Sequence, residues 1–343
     1  MSEQTVLLTG ATGYIAKHIA VQLLNADFKV RATLRNLDRA DEITAAITPH
    51  VDEAENLADR ISFVALDLGS DDGWDAAMNG VDILMHTASP FPMAQPKDAN
   101  DTIRPAVDGA LRALTAAHAN GIKRVVMTSS CVAIMEKDLA KGQTQYTEED
   151  WSDLTRTAMT PYSKSKTLAE KAAWDFVSNQ APEMELTVIN PGLVIGAPLD
   201  THFGTSVALV TRILSGADPM MPKYGVPMVD VQDVAQMHVA ALTKPQSIGK
   251  RFVANAESMW FIDIAKTLKA AYPDRKISTR LAPNFMLRLL AVFDKSIRSI
   301  LPSLGQKPDV SNKQAREILD IEFIPPQQSL RETAAFLIKH DAA

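Results

Sequence analysis

The chain has a single cysteine, Cys131, among its 343 residues. That excludes an intrachain disulfide and any multi-cysteine zinc site, and it suits a reducing compartment. Positive charge is also scarce. Against 41 acidic side chains stand 35 basic ones, a net charge of -6, which offers nucleic acid or an anionic membrane no complementary surface. Long apolar runs are missing too: the most apolar late stretch, Asn284 to Phe293, contains Arg288 and is far too short to span a bilayer. The opening Met1-Ser2-Glu3-Gln4 lacks the basic and long apolar regions of a signal peptide. No repeat or low-complexity tract is evident. The seven histidines show no ligand spacing, so no metal is expected. What remains is a cytoplasmic globular protein with a small-molecule partner, a monomer or homodimer that binds neither nucleic acid nor membrane.

Hydrophobic residues make up 46% of this chain, enough for one large α/β domain with a smaller lobe. The first half alternates short β-branched runs with amphipathic stretches, the pattern of parallel βαβ units. Strands are expected at 5–8, 28–34, 61–66, 81–85, 124–127 and 186–189. Helices are expected at 14–24, with Ile15, Ile19 and Leu23 on one stripe, at 103–119, and from Pro161 onward, with Leu168, Ala172 and Phe176. The acidic stretch 38–59 is also expected to be helical. Past Pro191 the texture changes, with Pro and Gly punctuating 191–227. Candidate helices then follow at 262–271, 285–300, 312–319 and 329–338. We expect a cofactor-binding domain over 1–190, to which the chain returns around 226–243, and a substrate lobe mainly over 191–343.

Thr9-Gly10-Ala11-Thr12-Gly13-Tyr14-Ile15-Ala16 follows the first strand and opens the first helix, the context a dinucleotide fingerprint needs. Gly10 suits a sharp turn, Gly13 lets a pyrophosphate approach the backbone, and Ala16 allows close helix–strand packing. The helix N-terminus favours the anion through free N–H groups and its dipole. Thr9, Gly10, Thr12, Gly13, Tyr14 and Ile15 are therefore candidate cofactor residues of a Rossmann-type, doubly wound parallel sheet. A ligand-free glycine turn is the bland alternative.

The end of the second strand bears on cofactor choice. An NAD site usually places a carboxylate there for the ribose 2′-hydroxyl. Here the strand reads Val30-Arg31-Ala32-Thr33-Leu34-Arg35, and the first acid, Asp38, comes later. Period-two alternation puts Arg31, Thr33 and Arg35 on one face, and a guanidinium can fork onto a 2′-phosphate. Both arginines could instead pair with the acidic stretch that follows. The missing carboxylate points to NADP(H). Asp67 and Leu68 should lie beside the adenine, and Thr87, Ala88 and Ser89 beneath the pyrophosphate and ribose.

Tyr162 and Lys166 stand four apart, on one face of the helix that Thr160-Pro161 opens. Spacing alone is weak evidence: a given tyrosine has lysine at that place about one time in fifteen. A second instance, Tyr272 to Lys276, contains Pro273, which pushes Tyr272 out of the helical region. A tyrosine with pKa near ~10 is a poor acid–base group at neutral pH. The Lys166 ammonium and an oxidised nicotinamide would lower it. Lys166 can also bond the nicotinamide ribose. A serine after Val125-Val126-Met127-Thr128 would hold a substrate carbonyl; Ser129 and Ser130 alternate faces, so only one should reach the site. Cys131 beside them reads as a small packing residue.

With these residues in hand, the chain resembles the extended short-chain dehydrogenase/reductases. Within them it is similar to the dihydroflavonol-4-reductase, cinnamoyl-CoA reductase and aldehyde or ketone reductase branch. The matching motifs are TGATGYIA, VRATLR, LDL, HTASP, VVMTSSCV, YSKSKTLAEKAAWDF, VINPGLVIGAPL, VDVQDVA and AREILDIEFIPPQQSLRET, which cover nearly the whole chain. The resemblance implies that Ser130, not Ser129, is catalytic alongside Tyr162 and Lys166. It implies that Pro191, Gly192, Leu193 and Val194 lie against the nicotinamide and that Ser206 reaches cofactor phosphates. An apolar substrate pocket is implied around Phe91, Val132, Met220 and Tyr224. Two departures stand out. Ala16 replaces the third fingerprint glycine, and Val107-Asp108-Gly109 stands where many relatives carry an asparagine used in proton relay.

The expected activity is reversible NADPH-dependent reduction of an aldehyde or ketone. A sugar-nucleotide epimerase or dehydratase shares the trio, but usually holds NAD and carries an acid where Arg35 sits. A non-catalytic NADP-sensing regulator commonly lacks the Tyr/Lys pair.

Overall fold

The first strand, β1 (Thr5–Thr9), has Val6, Leu7 and Leu8 fully buried. A strand apolar on both faces needs a helical layer above and below it. Those layers come from the alternation that follows: α1 (Tyr14–Asn25), β2 (Lys29–Leu34), α2 (Ala40–Ile47), α3 (Leu57–Arg60), β3 (Ile61–Ala65), α4 (Trp74–Met78) and β4 (Ile83–His86). Next are α5 (Asn100–Ala119), β5 (Arg124–Thr128), α6 (Pro161–Gln180) and β6 (Glu185–Pro191). The second half adds β7 (Leu193–Ile195), α7 (Thr205–Leu214), β8 (Gly225–Asp230), α8 (Val231–Thr243), β9 (Lys250–Ala254) and β10 (Glu257–Trp260). It closes with α9 (Phe261–Ala271), α10 (Asn284–Leu290), α11 (Lys295–Ile300), α12 (Lys313–Leu319) and α13 (Pro326–Lys339). This computed structural model describes residues 4–89, 98–157, 159–293 and 295–343.

Among the described residues the strands form a seven-stranded sheet in the order β3-β2-β1-β4-β5-β6-β9, every pairing parallel. A second, mixed sheet runs β10-β8-β7. The large sheet is the doubly wound Rossmann-type arrangement that the sequence indicated. Its order reverses between β1 and β4, which opens a crevice at their carboxyl ends. On one face α1, α2 and α8 cover Val6, Leu8, Val30 and Ala32. On the other, α4, α5 and α6 cover Leu7, Leu84, Val125 and Leu186.

The buried side of α5 is mostly alanine (Ala106, Ala110, Ala113, Ala117), and α6 meets it with Ala169 and Ala173. Small side chains let two helix backbones approach closely. The apolar stripe of α6 therefore differs from the expected one: Ala169, Ala173 and Phe176 are buried, while Leu168 and Ala172 are only partly so. The acidic stretch 38–59 is not one helix, because Pro49, which lacks an N–H, sits in a turn between α2 and α3. The expected helix over 285–300 is two, α10 and α11. β9 brings the chain back to the main sheet a second time, beside β6, a return the sequence did not announce. Among the described residues no helix is long and apolar enough to cross a membrane.

Candidate active site

The turn after β1 is shaped by Gly10, whose φ of +72° belongs to the left-handed region; a Cβ there would lie 2.9 Å from the Ala88 Cβ. Gly13 N–H donates to the Gly10 carbonyl at 2.9 Å and closes the turn. Thr9, expected at the cofactor, faces inward instead. Its fully buried hydroxyl accepts from the N–H groups of Thr87 and Ala88, each at 3.1 Å. Its own proton then goes to His86 Nδ1 at 3.0 Å. That ring stays neutral, since burial brings His86 down to about 4. Thr9 thus staples the ends of β1 and β4 below the crevice.

The crevice holds two adjoining compartments that share Gly10, Gly13, Thr87 and Ser89. The first, about 480 Å³, is lined by Thr12, Thr33, Arg35, Asp67, Leu68 and Ala88, among others. Arg35 is exposed at the end of β2 and, among the described residues, has no ion pair. Arg31 does not reach this compartment. Sharing a strand face with Arg35 does not bring it to the strand tip, and its guanidinium bonds the carbonyls of Ala77 and Asn79.

The second compartment, about 280 Å³, is lined by Tyr14, Ile15, Ser130, Tyr162, Lys166, Pro191, Gly192, Val194 and Ser206, among others. Tyr14 donates its hydroxyl proton to the Gly196 carbonyl at 2.8 Å. Gly192 is required by packing: a Cβ there would sit 2.5 Å from the Pro227 carbonyl oxygen. Leu193, also expected here, turns away and packs against the core in β7. Helices α1 and α7 both open onto the crevice. Their N-caps, Gly13 and Gly204, provide no side-chain cap, so free backbone N–H groups face the space between them. Two uncapped helix starts with an exposed arginine at the far end make a donor set fit for an extended polyanion such as a dinucleotide.

Ser129 and Ser130 part company at the end of β5. Ser129 Oγ donates to the buried Glu170 carboxylate. Ser130 bonds the Tyr162 phenol, and its hydroxyl also lies 3.4 Å from the Pro191 carbonyl oxygen. Tyr162 and Lys166 stand on the capped first turns of α6, where Thr160 Oγ1 accepts from Ser163 N–H at 3.1 Å. Burial raises the Tyr162 phenol above its ordinary value, with the Ser130 bond opposing. The expected lowering drew on Lys166 together with an oxidised nicotinamide; of the protein's own groups, desolvation is the largest influence. Burial brings Lys166 down to about 8, with Glu170 one turn on holding it up. Cys131 is buried, its thiol pushed up by burial, and donates to the Asn190 carbonyl at 3.1 Å. Tyr272 ends α9 outside helical geometry, so Lys276 is not brought over it.

A third cavity, about 600 Å³, has Val132, Glu136, Thr160, Ser163 and Tyr224 in its wall, Val132 two residues from Ser130 and Ser163 next to Tyr162 in the chain. Val132 and Tyr224 were expected there. Met220 was too, but it lines none of these cavities and precedes Met221, which bridges to Leu281. Phe91 lies outside the described residues. The sequence reading missed Glu170, Asn190 and Arg251. The signal for the first was available: Glu170 follows Lys166 by four, on the same helix face. The fold also gathers Glu42, Asp200 and His202, but Lys17 already pairs with Asp200 and Arg39 with Glu42.

A family model described as NAD dependent epimerase/dehydratase family matches residues 6–255. The ketoreductase azaE of Aspergillus niger is 34% identical over 296 residues, 81% of this chain and 85% of that protein. Cinnamoyl-CoA reductase 1 of Arabidopsis thaliana is 30% identical over 336 residues, covering 97% and 89%. The crystal structure of yeast methylglyoxal/isovaleraldehyde reductase Gre2 complexed with NADPH superposes with a TM-score of 0.79 and 26% identity, over 99% of this chain and 100% of that one.

Proposed function

The chain belongs to the NAD dependent epimerase/dehydratase family, and from that premise we propose that it is an NADPH-dependent reductase of aldehydes or ketones. The observation that carries the reading is the meeting of Ser130, Tyr162 and Lys166 in one compartment of a crevice whose other compartment ends at Arg35, which has no ion pair among the described residues. The relatives agree with it. Gre2 is a reductase solved with NADPH, and azaE is a ketoreductase.

In this reading Gly10, Thr12, Gly13 and the N-termini of α1 and α7, with Ser206, hold the pyrophosphate. Arg35 takes the 2′-phosphate, and Asp67 and Leu68 flank the adenine. NADPH, when bound, supplies the hydride. The protein supplies the proton. The Tyr162 phenol, kept protonated by its burial, gives its proton to the carbonyl oxygen while the Ser130 hydroxyl holds that oxygen in place. The Lys166 ammonium, one turn away, stabilises the phenolate left behind. The same groups serve the reverse oxidation of the alcohol. Residues 1–190, with returns at 226–243 and β9, form the cofactor half, and the remainder of 191–343 shapes the substrate cavity.

The test is Tyr162→Phe, assayed with a panel of aromatic, aliphatic and keto-ester carbonyls at the NADPH absorbance. It should keep NADPH binding and lose nearly all turnover, of order 10²- to 10⁴-fold for a positioned proton donor. Turnover near that of the wild type would remove the role. Tightly held NAD in the purified protein would favour the epimerase or dehydratase reading that the family name allows.

A further inference from the structure

We propose that Glu170 is a positioning residue of this site, a single buried carboxylate that fixes the backbone of the catalytic serine and sustains the charge of Lys166. The inference rests on the reductase reading above.

Glu170 is fully buried on α6, one turn beyond Lys166. A carboxylate there needs a counter-charge and full hydrogen bonding. Oε1 accepts from Arg251 Nε, which reaches across from β9 at 2.5 Å. Arg251 is itself tied to the carbonyls of Glu148 and Asp150 at 2.8 and 2.7 Å, and its guanidinium stacks 3.8 Å from the Trp151 ring centroid. Oε2 accepts from Ser129 Oγ and from Asn190 Nδ2, the latter at 2.7 Å. The same Asn190 amide donates to the Ser130 carbonyl at 3.2 Å. One side chain therefore joins α6 to the carboxyl ends of β5 and β6 and to Arg251 near the start of β9. Ser130 sits at that junction, bounded by its own strand and by Asn190-Pro191.

Packing alone does not call for a charge here, because a buried ion pair can often be replaced by neutral groups at little cost in stability. The charge matters to Lys166. On its own helix that ammonium faces Glu170 and shares its compartment with Tyr162, and from β4 it faces His86, which is neutral. Glu170 in turn faces Arg251 from β9, and Glu148 lies on the far side of Arg251 and Cys131. Among the described residues, Glu170 alone supplies Lys166 with a negative charge that opposes desolvation. Without it Lys166 releases its proton at lower pH, since removing a nearby negative charge weakens proton binding.

The experiment compares the wild type with Glu170→Gln and with the double variant Glu170→Gln/Arg251→Met, which removes the pair together and strands no buried arginine. NADPH binding by fluorescence and kcat/KM for carbonyl reduction are measured from about pH 6 to 10. The alkaline limb of kcat/KM should move down by about one pH unit or more. NADPH binding should weaken more at high pH than at low pH. An even loss of activity with the limb unmoved overturns the proposal, and so does failure of both variants to fold, which leaves Glu170 a purely structural part. If the wild type reduces no carbonyl, the reductase reading fails, while the pH dependence of NADPH binding still decides about Glu170.

Discussion

Replacing Arg35 by alanine separates recognition of the cofactor's phosphate from every other property of the protein. The side chain is exposed and, among the described residues, makes no hydrogen bond or ion pair, so truncation should leave the unfolding temperature unchanged. A guanidinium forked onto a phosphate forms charge-assisted hydrogen bonds of ~1.5–3 kcal/mol each. Arg35 is open to solvent, which weakens each bond, so ~2–3 kcal/mol is a fair total for the fork. At ~1.4 kcal/mol per decade, that is a rise of ~30- to 150-fold in the NADPH dissociation constant. NADH lacks the 2′-phosphate and should change less than about threefold, within ~0.7 kcal/mol. Titrating both nucleotides against wild type and variant gives the two ratios directly. Equal effects on NADPH and NADH, or none on either, would refute phosphate recognition by Arg35 and leave its place in the first compartment without a function.

Two further outcomes concern stability. Thr9→Val keeps the shape and deletes the hydroxyl that serves two half-buried N–H groups and the buried His86; at ~1–3 kcal/mol for each unsatisfied group, less where water can reach it, urea unfolding should report a loss of ~2–4 kcal/mol, and a loss below ~1 would deny the staple its role. Asp233, buried in the first turn of α8, accepts from Ile324 N–H at 2.9 Å, and burial raises it to about 7. Its folded pKa lies above the unfolded value, so its contribution is present in acid and is lost as pH rises through 7. Asp233→Asn should therefore gain ~2 kcal/mol on the wild type at pH 8, after the helix N-terminus's preference for a carboxylate is allowed for, and nothing below about pH 4; a gain independent of pH would contradict the assignment.

The parts of the site legible in the sequence are those set by local geometry. The Gly10 turn, the Tyr162/Lys166 spacing and the strand-end residues Thr87 to Ser89 each follow from the period of one element, and all line the crevice. Parity along a strand gives the face of a residue but not its depth, and for that reason Arg31 and Arg35 diverge. Thr9 and Leu193 sit in motifs whose neighbours touch the crevice, yet their own side chains point into the protein. Glu170 itself was marked by its spacing from Lys166, but the network around it was out of reach for another reason. Its partners Arg251 and Asn190 are 81 and 20 residues away, and only the parallel addition of β9 beside β6 brings Arg251 to it.

The alanine seam between α5 and α6 bears on how this catalytic apparatus can change over time. With alanine methyls filling the seam at Ala110, Ala113, Ala169 and Ala173, and the His118–Phe176 edge contact closing it farther along α6, a bulkier graft at Ala169 or Ala173 should push α6 away from α5 and carry the Tyr162 phenol with it. Innovation in substrate range would thereby be steered away from α6 and onto the cavity wall around Val132 and Tyr224, where side chains can be exchanged without moving the proposed proton donor.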